Sequence, residues 1–336
     1  MNKTVPFTQK LSFLLTFCLL TFVPAKAGWP PLSPAVVRKA ENLMNRGGRE
    51  KNGGGTFTRQ EADFLLNLGQ ELLERRMPGE ARRIFLSLSA SNCLSARVLC
   101  GLGATYIGEV EEAGDCAAAE KYLHQALKLD PACGLAYSYL AELDLKRDRP
   151  ASALQLADRG LQCKQPEPLC YLYKADALVN LGRLKEAYAI ILRAEKELKP
   201  MALVFNTKGG ILEQMGRPYE AAQAFRRSSE LAANDWTFTQ LINCLREAKH
   251  YDEALSEVQK LLRASPKDAD VYRLRSTIYS SMKNYELAIK DMNTAIKLEP
   301  TSLAYKERAR LYQLSGNSLQ AQSDLQAAQK IRDDGF

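Results

Sequence analysis

The sequence predicts an all-α protein in which about eight helix-turn-helix repeats stack side by side. Eight of the alanines follow one another along the chain at spacings of 33 to 38 residues, most of them 33 or 34. An apolar side chain stands four positions after each alanine, and an aromatic side chain stands sixteen positions before the last six. The recurring alanines are Ala81, Ala119, Ala153, Ala187, Ala221, Ala254, Ala288 and Ala321. A phase kept over this length predicts a repeated structural unit.

The repeat at residues 272–300 shows why the period predicts paired helices. From Tyr272 to Met282, apolar or small side chains recur at helical spacing, which predicts an amphipathic helix. A break precedes a second helical segment from Glu286 to Leu298. Pro300 ends this segment because proline lacks the amide hydrogen that a continuing helix needs. Neither helix can bury its apolar face alone, so we expect each repeat to stack against the next.

This pattern resembles the tetratricopeptide repeat, whose motif reads W-x2-L-G-x2-Y, then A-x3-F, then P. The best-matching segments are Leu68-Gly69 with Ala81 and Phe85, Leu102-Gly103-x-x-Tyr106, and Gly216-Arg217-Pro218-Tyr219-Glu220-Ala221. The resemblance covers about residues 59–331 and implies a right-handed α-α superhelix, or solenoid, of eight repeats. The second repeat is four residues longer around positions 109–114. The third and fourth repeats replace the helix-packing glycine by alanine, and the sixth replaces it by Ile242.

Residues 1–27 have the pattern of a cleaved export signal. Two lysines precede an apolar run from Leu11 to Val23, and Ala25-Lys26-Ala27 offers an Ala-x-Ala cleavage site. The run is shorter than the roughly 20 apolar residues that a membrane-spanning helix needs. We therefore expect an exported protein without a membrane span after cleavage, most simply periplasmic and otherwise secreted or extracellular.

The segment 28–56 is predicted to form a short helix followed by a glycine-rich linker. Ser33-Pro34 begins a helical pattern that runs to Met44, and two glycine clusters follow it at positions 47–48 and 53–55. Thr58 and Glu61 have capping-box spacing, which predicts that the first repeat helix begins there. The repeat array is thus expected to occupy residues 57–336.

Composition excludes several classes of function. The chain has 46 basic and 39 acidic side chains, and three of the lysines lie in the predicted leader. This balance is too even, and the basic residues too dispersed, for a protein that binds nucleic acid. No zinc-ligand, metalloprotease or phosphate-loop motif occurs, and the two histidines, His124 and His250, are far apart in sequence. We expect no enzymatic activity, no cofactor and no bound metal.

Seven cysteines remain after the predicted leader, an odd number in a compartment that permits disulfides. Cys163 and Cys170 flank a helix–helix connector around Pro166, so a disulfide between them is one candidate, and Cys133–Cys163 is the competing pairing. Buried free thiols, acting as small apolar residues, are the third possibility.

The resemblance also implies a concave groove lined by the first helix of each repeat. Its middle would be apolar and acidic and its C-terminal end basic, which suits a protein or peptide segment with apolar side chains and an acidic group. Asn243 is accompanied by Thr239 rather than by lysine, so the family's carboxylate-clamp pattern is missing. The implied groove residues are Leu135, Glu142, Leu169, Leu172, Asp176, Leu203, Asn206, Glu213, Trp236, Asn243, Arg246, Arg273, Lys306 and Arg310.

These observations predict an exported scaffold or adaptor that binds a protein partner in its groove and helps to assemble a complex of the cell envelope. Two alternatives stay open. One is a structural component of a secretion or polysaccharide-export assembly that forms homo-oligomers through its end repeats. The other is a protein of thiol-redox chemistry.

Overall fold

A computed structural model describes residues 32–47, 56–107, 113–164 and 166–333. Within these ranges the chain forms 17 α-helices and no β-strand, which confirms the predicted all-α class. The chain divides into two compact units, residues 1–207 and residues 208–336. The predicted leader, the glycine-rich linker at 48–55 and most of the insertion at 109–114 lie outside the described residues.

The first unit contains the short N-terminal helix and four helix pairs, and the helix at the boundary begins in it. These helices are α1 (Pro34–Gly47), α2 (Arg59–Glu74), α3 (Pro78–Ser89), α4 (Ala96–Ile107), α5 (Ala113–Leu129), α6 (Gly134–Lys146), α7 (Pro150–Leu161), α8 (Pro168–Asn180), α9 (Leu184–Glu197) and α10 (Ala202–Gln214). Within each pair the two helices pack on each other, and the first helices α2, α4, α6 and α8 each contact the next along the row.

The second unit contains the end of α10 and seven further helices. They are α11 (Pro218–Leu231), α12 (Asp235–Glu247), α13 (Tyr251–Ala264), α14 (Ala269–Ser281), α15 (Tyr285–Leu298), α16 (Ser302–Leu314) and α17 (Ser318–Asp333). The pairs α12–α13, α14–α15 and α16–α17 pack internally, and each pair contacts the following one. That the array is one domain over 57–336 remains a prediction from the sequence.

The recurring alanines lie where the two helices of each repeat cross. All eight are buried, so their small side chains let the helices approach closely. Glycine serves the same purpose on the partner helix: a Cβ atom added to Gly69 would lie 2.7 Å from the Phe85 ring, and one added to Gly103 would lie 2.8 Å from Leu123. The structure thus confirms the helix-packing role that the resemblance gives to Gly69 and Gly103.

A residue with positive φ closes the turn between the two helices in seven repeats, always five positions before the repeat alanine. Three of these are glycines: Gly182, Gly216 and Gly316. The other four, Arg76, Asp148, Lys249 and Lys283, hold the left-handed conformation despite their side chains. The residue after it donates its N–H to the carbonyl five positions back, as Arg183 does to Leu178 at 2.8 Å. This is the hydrogen bond of a Schellman motif.

The beginning of the first repeat is also as predicted. Thr58 accepts a hydrogen bond from the N–H of Glu61, and the Glu61 carboxylate accepts one from the N–H of Thr58, which completes a capping box. The helix α1 packs against α3, and the Lys39 ammonium lies 4.3 Å from the centre of the Phe64 ring on α2. The N-terminal helix therefore packs on the first repeat.

Candidate functional site

The predicted groove residues of the first unit lie on neighbouring helices, α6 and α8, with two more at the start of α10. Leu135, Leu169, Leu203 and Asn206 are half-buried, while Leu172 is fully buried. The leucines and carboxylates of α6 and α8 lie on two first helices that pack side by side. We call the residues Leu135, Glu142, Leu169, Leu172 and Asp176 the leucine–carboxylate face.

Glu142 is a buried carboxylate with protein partners. The Tyr173 hydroxyl on α8 donates a hydrogen bond of 2.7 Å to its Oε2 atom, and the Lys146 ammonium lies 3.9 Å from its Oε1 atom. Lys146 also donates to the backbone carbonyl of Ile107, at 2.9 Å, which holds it beside the carboxylate. Burial raises the pKa of Glu142, and Lys146 and Tyr173 act against that rise.

Asp176, one repeat further along on α8, has no such partners. Its residue is only 2% exposed, and neither of its carboxylate oxygens has a hydrogen-bond partner among the described residues. Burial raises the pKa of Asp176 from 3.8 to about 7. A carboxyl group taken out of water without a donor is costly, whether it is charged or neutral. Asp176 is therefore the least satisfied polar group of the leucine–carboxylate face.

The predicted basic end, in the second unit, is less basic than the sequence indicates. The Arg273 guanidinium forms a two-pronged ion pair with Glu307, at 2.8 and 2.9 Å, and a further one with Asp270 at 2.7 Å. These partners raise the pKa of Arg273 and hold its charge within the protein. Lys306 and Arg310 are exposed on α16. Of the three predicted cations, Lys306 and Arg310 are thus exposed, while Arg273 is held in ion pairs.

The remaining groove residues of the second unit differ in burial. Trp236 and Asn243 are half-buried on α12, and the Trp236 ring meets the Phe225 ring edge-on at 5.8 Å. Arg246 lies 3.4 Å from both Ser281 Oγ and Glu247 Oε1, and Glu213 is exposed. The role of these residues in a groove remains a prediction.

The partners that hold these charges in place lie in neighbouring repeats or one helical turn away. Tyr173 lies 31 residues from Glu142, and Glu307 lies 34 residues from Arg273, so each pair joins consecutive repeats. A search for polar residues about one repeat apart on first helices would have detected both pairs. Lys146 follows Glu142 by four residues, a spacing that brings helical side chains together.

The histidines and cysteines are distributed as single residues and one pair. His124 Nδ1 lies 2.8 Å from the Glu120 carbonyl, and His250 pairs with Glu253 and stacks on the Tyr219 ring. The Cys163 thiol donates to the Arg159 carbonyl and the Cys170 thiol to the Gly134 carbonyl, so a disulfide between them remains a prediction. In the described ranges, no three His, Cys, Asp or Glu side chains converge as metal ligands would.

Comparisons with known sequences identify the repeat. Residues 110–168 and 269–302 match profiles described as tetratricopeptide repeat. Tetratricopeptide repeat protein 16 of Mus musculus is 26% identical over 138 residues, which are 39% of this chain and 18% of that protein. A 58 kDa phosphoprotein of Plasmodium berghei is 34% identical over 88 residues, 26% of this chain and 21% of that protein. The chain thus spans less than a quarter of the length of these relatives.

Solved structures show the same fold. The APC/C heterotetramer Cut9–Hcn1 matches 95% of this chain and 58% of its own at a TM-score of 0.54 and 16% identity. A tetratricopeptide repeat protein from Parabacteroides merdae matches 72% of this chain and 93% of its own, at a TM-score of 0.50 and 19% identity. Repeat motif, helix pairing and fold agree, and the chain contains tetratricopeptide repeats.

In the part of the chain that the structure describes, no helix combines the length and the apolar character needed to cross a membrane.

Proposed function

We propose that this protein is a scaffold that binds a segment of a partner protein on the leucine–carboxylate face. The half-buried leucines Leu135 and Leu169 would receive apolar side chains, whose burial contributes about 25 cal/mol per Å². The buried carboxylates would fix the orientation of the segment by charge. The Cut9–Hcn1 complex and the family as a whole support the general role, because repeats of this kind serve as binding surfaces.

The observation that carries the proposal is the unsatisfied carboxyl group of Asp176. Folded proteins rarely keep a buried polar group without a partner, and the exceptions concentrate at functional sites. Asp291 and Asp324, the comparably buried aspartates of the second unit, both have an arginine partner. A lysine or arginine of the bound segment would supply Asp176 with the partner that its own chain does not provide.

The predicted basic end supports a weaker second contact. Lys306 and Arg310 are exposed and would attract an acidic group, but such charges act mainly on the rate of encounter. Arg273 is already neutralised by Glu307 and Asp270, so we assign it to the structure of the second unit rather than to the partner.

Selection of random peptides on the full-length chain tests the proposal. We expect the enriched peptides to contain one basic residue flanked by apolar ones. The Asp176→Asn variant keeps the shape of the side chain but removes its charge, and it should lose the preference for the basic residue. Asp158→Asn is the matched control, because the Asp158 carboxylate already pairs with Lys174 at 2.5 Å.

Two outcomes would contradict the proposal. Peptides without a basic residue, enriched on the wild-type chain, would show that Asp176 is simply a buried neutral acid. An unchanged preference in Asp176→Asn would show that the basic residue binds elsewhere.

We further propose that the scaffold acts outside the cytoplasm, in a complex of the cell envelope. The signal pattern of residues 1–27 and its Ala25-Lys26-Ala27 site support this location. The expected result is a mature protein that begins at Gly28 and fractionates with the periplasm. A protein that keeps Met1 and stays in the cytoplasm would contradict it.

A second candidate function is self-association through the last repeat. Leucines are exposed there on α16 and α17, including Leu319, which is 84% exposed, together with Leu303, Leu314 and Leu325. Light scattering of the purified chain distinguishes the two functions. Replacing Leu319 and Leu303 by serine should convert an oligomer into a monomer, whereas a monomeric wild-type chain would exclude self-association.

A further inference from the structure

Two cysteines of the first unit that neither expected pairing joins lie close together. Cys100, on α4, and Cys133, immediately before α6, have their sulfur atoms 3.7 Å apart. Both side chains are enclosed, Cys100 completely and Cys133 with 8% exposure. The two residues are 33 positions apart and belong to the first helices of consecutive repeats.

We infer that Cys100 and Cys133 form a disulfide that links the second and third repeats. A disulfide has an S–S distance of about 2.05 Å, so the two sulfur atoms must approach each other by about 1.7 Å. The packed contact between α4 and α6 already brings the two residues together, and a rotation of the cysteine side chains would be the main change needed.

The position of Cys133 favours its role as the first thiol to react. Cys133 is the N-cap residue of α6, where the backbone N–H groups of the first helical turn point toward the cap. Its neighbour Cys100 and the backbone groups of Ala136 and Leu135 lower the pKa of Cys133 to about 7, although burial acts in the opposite direction. The same contact with Cys133 raises the pKa of Cys100. A thiolate at neutral pH is the attacking species in disulfide exchange.

The reaction needs an external disulfide as oxidant. The Cys133 thiolate attacks one sulfur of that disulfide, forms a mixed disulfide and releases the first thiolate. Cys100 then loses its proton and attacks the Cys133 sulfur, which forms the Cys100–Cys133 bond and releases the second thiolate. The two cysteines lose two electrons and two protons, and the external disulfide becomes two thiols. Because both sulfurs are enclosed in the folded chain, we expect the exchange to occur late in folding, after α6 and its contact with α4 have formed and before the two sulfurs are covered.

Refolding of the full-length chain in a mixture of reduced and oxidised glutathione tests this inference. Free thiols are then alkylated at low pH, and the protein is cleaved with trypsin without reduction. A Cys100–Cys133 bond joins peptide 98–121 to peptide 129–146, and fragmentation should show Cys116 of the first peptide in alkylated form. A Cys163–Cys170 bond would instead join 160–164 to 165–174, and the two bonds can coexist.

Three variants make the result specific. Cys100→Ala and Cys133→Ala should each remove the linked peptides, whereas Cys116→Ala, a buried cysteine of the same peptide, should retain them. Reductant should lower the melting temperature of the oxidised wild-type chain by more than that of Cys100→Ala, in which only a Cys163–Cys170 bond could be reduced. Recovery of Cys100 and Cys133 in alkylated form would overturn the inference. So would a link between peptides 129–146 and 160–164, which would mean that Cys133 pairs with Cys163. Neither result bears on the proposed binding face, which does not contain these sulfurs.

Discussion

Three aspartates of this chain are buried to nearly the same extent but have different surroundings. In the second unit, Asp291 and Asp324 are each 5% exposed, and each accepts two hydrogen bonds from one arginine, Arg275 or Arg308, at 2.7 and 2.8 Å. In the first unit, Asp176 is 2% exposed and has no hydrogen-bond partner among the described residues. The first two carboxylates therefore serve the packing of their own helix pairs, while Asp176 has no comparable contact within the described residues.

The arginine–aspartate pairs also replace an apolar contact used elsewhere in the array. Arg275 and Asp291 stand thirteen residues before and three residues after the repeat alanine, and Arg308 and Asp324 occupy the same positions one repeat later. In the third repeat these positions hold Leu140, which lies in the apolar core of the first unit, and Leu156, which is partly buried and packs against that core. The repeat thus accommodates either a charged or an apolar pair at these two positions. Only the charged pair leaves a buried charge without a partner when one member is removed.

The largest expected effect comes from breaking one charged pair. Arg275→Leu leaves the buried Asp291 carboxylate without its partner, so we expect the free energy of unfolding to fall by about 3–5 kcal/mol in urea denaturation. The double variant Arg275→Leu, Asp291→Leu copies the third repeat and should recover most of that loss. A double variant as unstable as the single one would show that the two repeats are not equivalent.

Asp176→Asn should make the first unit more stable at high pH. The pKa of Asp176 is about 7 in the folded chain and 3.8 in the unfolded chain. Between pH 3.8 and pH 7 the folded chain therefore binds a proton that the unfolded chain does not. The wild-type chain therefore loses stability from this group as pH rises from 4 to 7, and the variant does not. Between pH 5 and pH 8 the variant should gain about 2–3 kcal/mol relative to the wild type. Urea denaturation at both pH values measures this gain, and a difference independent of pH would contradict it.

Tyr173→Phe tests the hydrogen bond that the buried Glu142 carboxylate accepts and that Asp176 does not have. The variant removes the hydroxyl that donates to the buried Glu142 carboxylate, and we expect a loss of about 1–2 kcal/mol. Tyr171→Phe is the matched control, because the Tyr171 hydroxyl donates to Glu197, an exposed carboxylate that water can also solvate. Equal losses in the two variants would mean that burial of Glu142 does not matter.

The smallest expected effect concerns the turns between the helices. Lys249 is exposed and has a φ of 63°, a conformation that glycine adopts without strain. We expect Lys249→Gly to raise the free energy of unfolding by about 0.5–1 kcal/mol. Gly316→Ala, at a φ of 84°, should lower it by about 1 kcal/mol. Thermal denaturation would contradict this account if both changes shifted the midpoint in the same direction.

The sequence predicted the helix pairs well because burial repeats in it with a fixed period. Each repeat alanine must lie at a helix crossing, and the crossing fixes the phase of both helices. The capping box at Thr58 was predictable for a similar reason, since it depends on residues only three positions apart.

The charged contacts were not predictable in the same way. The sequence assigns Arg273 to a helix face but does not show that Glu307 of the next repeat reaches it and pairs with it. Likewise, whether Asp176 or Glu142 has a hydrogen-bond partner depends on side chains about one repeat away. A change of one such residue decides whether the carboxylate is satisfied. The closeness of Cys100 and Cys133 was missed because spacing along the chain does not show which cysteines about one repeat apart face each other.

The most direct test of the proposed binding site is the pH dependence of peptide affinity. The measurement uses one enriched peptide with a basic residue, titrated into the wild-type chain and into Asp176→Asn at pH 6 and pH 8. Only the ionised form of Asp176 attracts the cation, and with a pKa near 7 that form is about tenfold less populated at pH 6. We predict about tenfold weaker binding to the wild-type chain at pH 6 and a pH-independent, weaker affinity for the variant. Equal affinities of both chains at both pH values would contradict the assignment of Asp176 to the binding site.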